Sequence, residues 1–438
     1  MNLFEKEYAK KLRNIDYVLE QIQDGDFIAT SGGGCTPDAF FKNLHTIAPR
    51  IKNRVGVYYG SSAPAGTYEF LEKEEYFKKF HTITGFILGP GPRDAIKRGA
   101  LEFFPTHYHN QGSKIVETRG VDVYVAAVCP MDERTGYFRT SFGNVNEIDF
   151  RNAAKKIILE VVPSMPVIYG NNEIHISEVD AIYEADHPIE TLDPQPFGEI
   201  EAKIGEYVAT LVEDGSTIQL GIGAIPDAVA HAFMNKKNLG VHTEMITNSI
   251  LDLVKAGVIT GKEKSLDRGV IVGAFSLGSK ELYEFMDKNP QVSMKNCSYV
   301  NDPNVIAQCH KMVSINTCMG IDLTGQVSSE SIGTLQYSGT GGQVDTVTGS
   351  IHAAGGKSIM ALCSTAKKGT VSKISAVFEP GTAITLSRND LDYVVTEYGI
   401  AHLRGTTIPE RAKRLISIAH PKFRDELTAK AKEFGYIV

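Results

Sequence analysis

The fold follows from one stretch that occurs twice. Asp24-Gly-Asp-Phe-Ile-Ala-Thr-Ser-Gly-Gly-Gly-Cys-Thr-Pro-Asp-Ala-Phe40 returns, one residue shorter, as Asp214-Gly-Ser-Thr-Ile-Gln-Leu-Gly-Ile-Gly-Ala-Ile-Pro-Asp-Ala-Val229. Each copy predicts a turn, a strand, a glycine loop and a helix opened by a proline and an aspartate. Some twenty residues on, Asn53-Arg-Val-Gly-Val-Tyr-Tyr-Gly60 is echoed by Asn238-Leu-Gly-Val-His-Thr-Glu244. The chain is therefore predicted to be an internal duplication.

Apolar, β-branched runs alternate with helical periods along all 438 residues. This alternation is typical of α/β proteins, so we expect two similar open α/β domains. The polar, proline-rich segment 186–196 has the composition of an interdomain connection. We therefore predict one domain over residues 1–187 and a second over residues 197–438.

The two copies differ at the end of their second strand, where the first has Gly60 and the second has Glu244. Ligands of open α/β domains commonly lie beyond the carboxyl ends of the strands, which is where Glu244 should be. The difference favours one working half and one supporting half. By itself, however, a strand-end acid is more often a helix cap or the partner of a base.

Composition narrows the classes of function. The net charge of -7 argues against a surface that binds nucleic acid, and no stretch is apolar enough to cross a membrane, so we expect a cytoplasmic protein. The six scattered cysteines are expected to be buried thiols. His107 and His109 form the only close histidine pair and have no nearby acidic or cysteine partner, so we predict neither a metal site nor a prosthetic group.

Three glycine-rich segments are candidate ligand loops: Gly221-Ile-Gly-Ala-Ile-Pro226, Ser338-Gly-Thr-Gly-Gly-Gln-Val-Asp345 and Gly355-Gly-Lys-Ser358. The first follows a strand and opens a helix, a setting that favours anion binding. The second has enough glycine to bring backbone N–H groups against a reacting carbonyl. The third lacks the first glycine of a P-loop. Each loop taken alone is more often a simple tight turn.

Several segments together resemble the acetyl-CoA hydrolase/transferase family of family I CoA-transferases. They are the loops at 221–229 and 338–345, His242-Thr-Glu-Met245, Thr396-Glu-Tyr-Gly-Ile-Ala-His-Leu-Arg-Gly405, Met165-Pro-Val-Ile-Tyr-Gly170 and Arg388-Asn-Asp-Leu-Asp-Tyr393. Within the family, the chain is most similar to 4-hydroxybutyrate CoA-transferases and butyryl-CoA:acetate CoA-transferases. The resemblance implies two α/β domains with the active site at their interface.

The same resemblance implies roles for individual residues. Glu244 is the expected nucleophile, which forms a glutamyl-CoA thioester in a ping-pong reaction. Gly342 is the expected oxyanion donor. Coenzyme A is the expected substrate, bound by Gly221, Ile222, Gly223, Ala224, Ile225, Ser338, Gly339, Gly341, Gly342 and Lys367. Because the nucleophile must be ionised, its pKa need not be raised as that of a general acid would be.

Alternatives remain open at this stage. Water instead of a carboxylate would make the enzyme an acyl-CoA hydrolase, and loss of chemistry would leave a CoA-binding protein. The expected partners are an acyl-CoA and a short-chain carboxylate, and a homodimer or homotetramer is expected. The sequence does not determine which acyl group is preferred. It also leaves open whether His242, Gln219 or Tyr337 lines the acyl pocket.

Overall fold

A computed structural model describes residues 2–438 of the chain. The strands are β1 Phe27–Thr30, β2 Val55–Tyr58, β3 Phe80–Thr84, β4 Glu102–Phe103, β5 Val121–Val128, β6 Tyr137–Arg139, β7 Ala154–Val161, β8 Glu173–His175, β9 Ala181–Glu184, β10 Thr217–Leu220, β11 Gly240–Ile246, β12 Ile271–Ser276, β13 Val292–Met294, β14 Met312–Thr317, β15 Gly320–Asp322, β16 Val327–Ser328, β17 Ser331–Ile332, β18 Leu335–Gln336, β19 Lys357–Ala361, β20 Thr365–Ala366, β21 Val371–Ser372, β22 Ile374–Ser375, β23 Tyr393–Thr396 and β24 Gly399–His402.

The α-helices are α1 Leu3–Lys11, α2 Ile15–Glu20, α3 Asp38–Asn43, α4 Glu69–Glu72, α5 Glu74–Phe77, α6 Pro90–Lys97, α7 Gln111–Arg119, α8 Glu147–Ala153, α9 Glu199–Leu211, α10 Ala224–Ala232, α11 Asn248–Lys255, α12 Lys280–Met286, α13 Cys297–Val300, α14 Pro303–Ile306, α15 Gln343–His352, α16 Ile408–Ile418 and α17 Pro421–Glu433. Across residues 2–438, none of these helices is long and apolar enough to cross a membrane.

The chain divides into two compact units. Unit 1 comprises the residues up to Leu192 together with Val272–Val300, and unit 2 comprises Asp193–Ile271 together with Asn301–Val438. The change from one unit to the other after Leu192 falls inside the segment 186–196. The return of 272–300 to unit 1 differs from the predicted division, which placed these residues in the second domain.

Backbone hydrogen bonds explain why 272–300 belongs to unit 1. Asn144 N–H donates to the carbonyl of Ala274 at 2.7 Å, and Met294 N–H donates to the carbonyl of Tyr169 at 2.7 Å. Buried backbone groups must be paired, and in both of these bonds the partner lies more than a hundred residues away along the chain. No local sequence pattern reports such a pairing.

Unit 1 contains a seven-stranded parallel sheet with the order β4-β3-β2-β1-β5-β7-β9. Alternate residues of β1 enter different cores, since Ile28 packs in one cluster while Phe27 and Ala29 pack in another. A sheet that is buried on both faces requires continuous apolar strands, and all four residues of β1 are buried. In the sheet, β1 lies between β2 on one side and β5 on the other.

Unit 2 repeats this plan. Its strands β11, β10, β14, β19 and β23 lie side by side in that order and are parallel, and β24 is antiparallel at the edge. Again the first strand of the repeat, β10, lies at the centre. The α/β class predicted from the sequence is confirmed, and in each unit the glycine loop follows the central strand, where the direction of the strand order reverses.

The register of the two sheets fixes the correspondence between the copies. Phe27 lies opposite Gly56, and Thr217, at the equivalent place in the repeat, lies opposite Gly240. Counting four residues onward from each glycine reaches Gly60 in the first copy and Glu244 in the second. The sheets thus align these two residues as the sequence repeat does.

Candidate active site

Glu244 lies on β11 of unit 2, close to the carboxyl end of the strand. The Thr243 hydroxyl donates to the carbonyl of Leu220 at 3.2 Å, which ties this strand to the end of β10. The glycine loop 221–225 starts directly after Leu220, the last residue of β10. Since β10 and β11 are parallel, their carboxyl ends meet at one edge of the sheet, and both Glu244 and this loop lie near that edge.

Two donors hold the Glu244 carboxylate. Asn301 Nδ2 donates to Glu244 Oε2 at 2.8 Å, and the Gly342 backbone N–H also donates to this carboxylate. Asn301 itself is fully buried, and its Oδ1 has no hydrogen-bond partner in the protein. Backbone N–H and amide groups that converge on one carboxylate are the kind of donors that form an oxyanion hole.

Gly342 has no room for a side chain. A Cβ at this position would overlap both Glu244 Oε2 and Asn301 Nδ2. Gly342 directly precedes α15, and its neighbour Gly341 has a φ of +57°, a conformation that favours glycine. Glycine at 342 therefore allows the backbone to touch the carboxylate.

The pKa of Glu244 is raised to about 7. Loss of solvent around the carboxyl group is the largest cause. The Asn301 hydrogen bond opposes it, the negative charge of buried Asp345 raises the pKa further, and the Gly342 N–H lowers it. This rise could not be expected from the sequence, because neither the desolvation of the carboxyl group nor its distance to Asp345 can be derived from the residue types alone.

The loop 221–225 remains open. Its residues are all partly exposed, whereas the preceding strand and Pro226 are buried. Gly223 has a φ of +112°, and a Cβ added there would meet nothing within 4 Å. The last two residues of this segment, Ala224 and Ile225, already belong to the first turn of α10, so backbone N–H groups of that turn are available for an anion.

The remaining predicted CoA-binding residues fall into two groups in the structure. Ser338, Gly339 and Gly341 belong to the same loop as Gly342. Lys367 is exposed in the turn between β20 and β21, and the contacts of the described residues do not join it to Glu244. Its predicted role in CoA binding stays a prediction.

The three candidates for the acyl pocket also differ. Gln219 is buried, and its Oε1 accepts a hydrogen bond from the Ile315 N–H at 3.1 Å, which links β10 to β14. His242 is buried on β11, two residues before Glu244, and Tyr337 is partly exposed beside the second glycine loop. Gln219 therefore has a structural role.

Other features of the sequence have simpler explanations. His107 precedes a 3-10 turn, Tyr108–Asn110, rather than lying on a strand. Over residues 2–438, no group of three or more His, Cys, Asp or Glu side chains is arranged to hold a metal ion. All six cysteines are free thiols, and five of them are buried.

In the first copy, backbone N–H groups of the glycine loop are paired within the protein, and little space remains beside Gly60. In unit 1, the Gly33 N–H donates to the carbonyl of Gly60 at 2.9 Å, and the Gly32 N–H donates to the carboxyl group of buried Glu147. The remaining cavity, lined in part by these residues and Tyr58, has a volume of about 20 Å³. That volume holds about one water molecule.

Sequence reasoning missed Asn301. It lies 57 residues beyond Glu244 and directly after the short helix α13, within an ordinary Asn-Asp-Pro turn. No spacing or motif in the sequence marks it, and only the folded structure brings its amide to the carboxylate.

Known proteins share this architecture along nearly the whole chain. The family model for the acetyl-CoA hydrolase/transferase N-terminal domain matches residues 1–192, and that for the acetyl-CoA hydrolase/transferase C-terminal domain matches residues 278–431. The crystal structure of RipA from Yersinia pestis superposes with a TM-score of 0.93 at 35% identity and covers 100% of both chains.

The relatives of this chain are named for different activities. The 4-hydroxybutyrate coenzyme A transferase of Clostridium kluyveri is 48% identical over 89% of this chain and 90% of its own. The butyryl-CoA:acetate CoA-transferase of Anaerostipes caccae is 34% identical over 98% of each. An acetyl-CoA hydrolase of Kluyveromyces lactis is 23% identical over 96% of this chain and 89% of its own. These matches confirm the predicted resemblance: the chain belongs to the acetyl-CoA hydrolase/transferase family of family I CoA-transferases.

Proposed function

We propose that this enzyme transfers CoA from a short-chain acyl-CoA, such as 4-hydroxybutyryl-CoA or butyryl-CoA, to a carboxylate such as acetate. The observation that carries the proposal is the Glu244 carboxylate, which is held by Asn301 Nδ2 at 2.8 Å and by the Gly342 N–H. Its relatives named as 4-hydroxybutyrate and butyrate transferases support the choice of substrates.

In the proposed first half-reaction, ionised Glu244 attacks the thioester carbonyl of the acyl-CoA. Collapse of the tetrahedral intermediate breaks the C–S bond and yields a mixed anhydride and CoA thiolate. The thiolate then attacks the Glu244 carbonyl of the anhydride, which forms the glutamyl-CoA thioester and releases the first carboxylate. A second carboxylate reverses these steps and leaves as the new acyl-CoA, so that the kinetics are ping-pong.

The positions of the two donors fit the second tetrahedral intermediate. Its oxyanion forms on an oxygen of Glu244 itself, and Asn301 and Gly342 already contact that carboxylate in the free enzyme. Preorganised donors of this kind contribute roughly 3 kcal/mol each to the stability of the transition state. Gly342 is therefore proposed as the oxyanion donor, with Asn301 acting beside it.

The loops account for the rest of the substrate. In the proposal, residues 221–225 bind CoA through backbone N–H groups, Ser338, Gly339 and Gly341 shape the path to Glu244, and Lys367 meets a phosphate. Binding of the long CoA group far from the thioester can favour the chemical step, because remote binding energy offsets strain at the reacting carbon.

Trapping of the intermediate tests the proposal. The protein is incubated with butyryl-CoA alone, reduced with borohydride and digested, and mass spectrometry should find the reduced residue at position 244. Glu244→Ala should abolish both the adduct and the transfer, while Glu410→Ala, which replaces a solvent-exposed glutamate at the start of α16, should change neither. An adduct on another residue, or ping-pong turnover by Glu244→Ala, would contradict the assignment.

The second candidate is hydrolysis of the same intermediate by water, which is favoured by the family's acetyl-CoA hydrolases. Adding acetate to an assay that follows free CoA and acetyl-CoA separates the two activities. A transferase forms acetyl-CoA in proportion to acetate, whereas a hydrolase releases CoA at the same rate without acetate. Tight CoA binding without either product would instead indicate a binding protein.

A further inference from the structure

Glu330 lies between the two ends of the glycine loop that carries Gly342. The chain reverses through the hairpin of β17 and β18, which brings residue 338 back beside residue 330. The Glu330 carbonyl accepts hydrogen bonds from the N–H groups of Tyr337 at 2.7 Å and Ser338 at 3.0 Å. The main chain of Glu330 thereby fixes the start of the loop.

The side chain of Glu330 fixes the middle of the same loop. Its Oε2 accepts from Thr340 Oγ1 at 3.2 Å and from Gln336 Nε2 at 3.2 Å, and its Oε1 accepts from Thr385 Oγ1 at 3.0 Å. The residue is only 8% exposed. Burying a carboxylate is costly unless its oxygens are hydrogen-bonded, so these donors and the acid hold one another in place.

The position of this loop matters because Gly342 follows Thr340 by two residues and touches Glu244. A hydrogen-bond donor is effective only within about 2.7–3.2 Å of its acceptor. Loops with several glycines are conformationally free unless other contacts restrain them. Thr340 is the last residue with a side chain before Gly342, so its bond to Glu330 is the nearest side-chain restraint on the N-terminal side of the donor. On the other side, Gln343 accepts from Ser329 Oγ and donates to the carbonyl of Thr317.

We propose that Glu330 is a positioning residue, which holds the 338–342 loop through Thr340 so that the Gly342 N–H stays aimed at the Glu244 carboxylate. The inference rests on the proposed function of Glu244 and names a residue that acts on that site without touching the substrate. Its effect should fall on the rate of the chemical step rather than on CoA binding.

The test is the single-turnover rate of glutamyl-CoA formation, followed by rapid quench with butyryl-CoA. Thr340→Val removes the hydroxyl with little change in volume and should slow this rate about ten- to a hundredfold, since small displacements of a catalytic group have effects of that size. Thr340→Ser keeps the hydroxyl and should restore the rate to within about threefold of wild type. KM for butyryl-CoA should change less than kcat.

Thr428→Val provides the matched control. Thr428 is also partly buried and makes one hydroxyl bond, to the carbonyl of Arg424 on helix α17. It should leave the rate unchanged. Hydrogen exchange at the amides of residues 338–342 should be faster in Thr340→Val than in wild type and unchanged in Thr428→Val.

The outcomes are distinct. A Thr340→Val enzyme with a wild-type rate of glutamyl-CoA formation and wild-type exchange in the loop overturns the role of Glu330. So does a Thr340→Ser enzyme as slow as Thr340→Val. If the wild-type protein forms no glutamyl-CoA adduct at all, the proposed function fails instead. Unchanged amide hydrogen exchange at residues 338–342 in Thr340→Val would separately refute the idea that the Thr340–Glu330 bond restrains the loop.

Discussion

Replacing Asn301 with Ala should have two separable effects on the formation of glutamyl-CoA. The 2.8 Å bond from Asn301 Nδ2 stabilises the ionised form of Glu244 before reaction. The same donor is placed to stabilise the oxyanion that later forms on this residue. The first effect depends on pH and the second does not, so one pH profile measures both.

The size of the first effect follows from the strength of the bond. A hydrogen bond to a charged group contributes about 1.5–3 kcal/mol, and 1.36 kcal/mol corresponds to one pKa unit, so its loss should raise the Glu244 pKa by roughly one to two units. The wild-type pKa is about 7. At pH 7, the ionised fraction should therefore fall about fivefold to fiftyfold in the variant, and raising the pH should recover it.

The second effect remains when Glu244 is fully ionised. Loss of one oxyanion donor typically lowers the rate about 10²- to 10³-fold. The plateau of the profile at high pH should fall by that factor in Asn301→Ala, while its acidic limb moves to higher pH. In the wild type, activity should rise with pH through about 7, because only the carboxylate attacks the thioester.

The assay is the single-turnover rate from pH 5 to pH 10, with thermal unfolding measured in parallel. Asn296→Ala removes another buried asparagine, whose side chain bonds Ser298 N–H and not Glu244. Asn296→Ala should lower the thermal stability of the protein without shifting the acidic limb of the pH–rate profile. An Asn301→Ala profile with the wild-type limb and the wild-type plateau would refute the reasoning, and a shifted limb with an unchanged plateau would remove Asn301 from the oxyanion hole.

Three further predictions test the surrounding structure. Gly342→Ala places a Cβ where Glu244 Oε2 lies, so it should lower transfer at least tenfold and cost about 1–3 kcal/mol of stability, as measured by kcat and urea unfolding. Burial raises the Glu147 pKa to about 7, so between pH 4.5 and pH 7 the native state holds a proton that the unfolded chain has released. The contribution of this group to the free energy of unfolding is therefore present at low pH and is lost as the pH rises through 7. The free energy of unfolding of Glu147→Gln, measured relative to wild type by urea unfolding, should therefore rise by up to about 3 kcal/mol from pH 4 to pH 8. If this difference between variant and wild type is the same at both pH values, the pKa of Glu147 is not raised. Gly60→Glu should destabilise unit 1 and give no second glutamyl adduct by mass spectrometry, because its Cβ would lie 3.0 Å from the Gly32 Cα.

The backbone plan of this protein was predictable from its sequence because the repeat carries strong local signals. The runs Phe27–Thr30 and Thr217–Leu220 form strands followed by glycine loops, as predicted. The structure adds that both strands lie within the interior of their sheets. Continuous apolar residues bounded by turn residues specify a buried parallel strand regardless of what surrounds it. The placement of Glu244 near the carboxyl end of β11 agrees with the position that the repeat predicts.

The chemistry around Glu244 was less predictable because it depends on contacts between distant parts of the chain. Asn301 and Glu330 occupy ordinary positions in the sequence, and each gains its role only from the side chain that the fold brings opposite it. The raised pKa of Glu244 has the same origin, since desolvation is a property of packing and not of residue type. Motifs identified the 338–342 loop and Glu244, but they did not identify the residues that hold the loop and the carboxylate in position.

Loop length, and not the acid alone, separates the two copies. The first glycine loop has one extra residue and forms the 3-10 turn Gly33–Cys35, whose first N–H donates to the Gly60 carbonyl at 2.9 Å. The neighbouring Gly32 N–H is taken by Glu147. Donors already paired within the protein are not available to an acyl-CoA, and about 20 Å³ cannot hold a carboxylate together with a thioester. An acid introduced at Gly60 would therefore still lack both the space and the donors, so conversion of unit 1 into a working half would require a shorter loop as well.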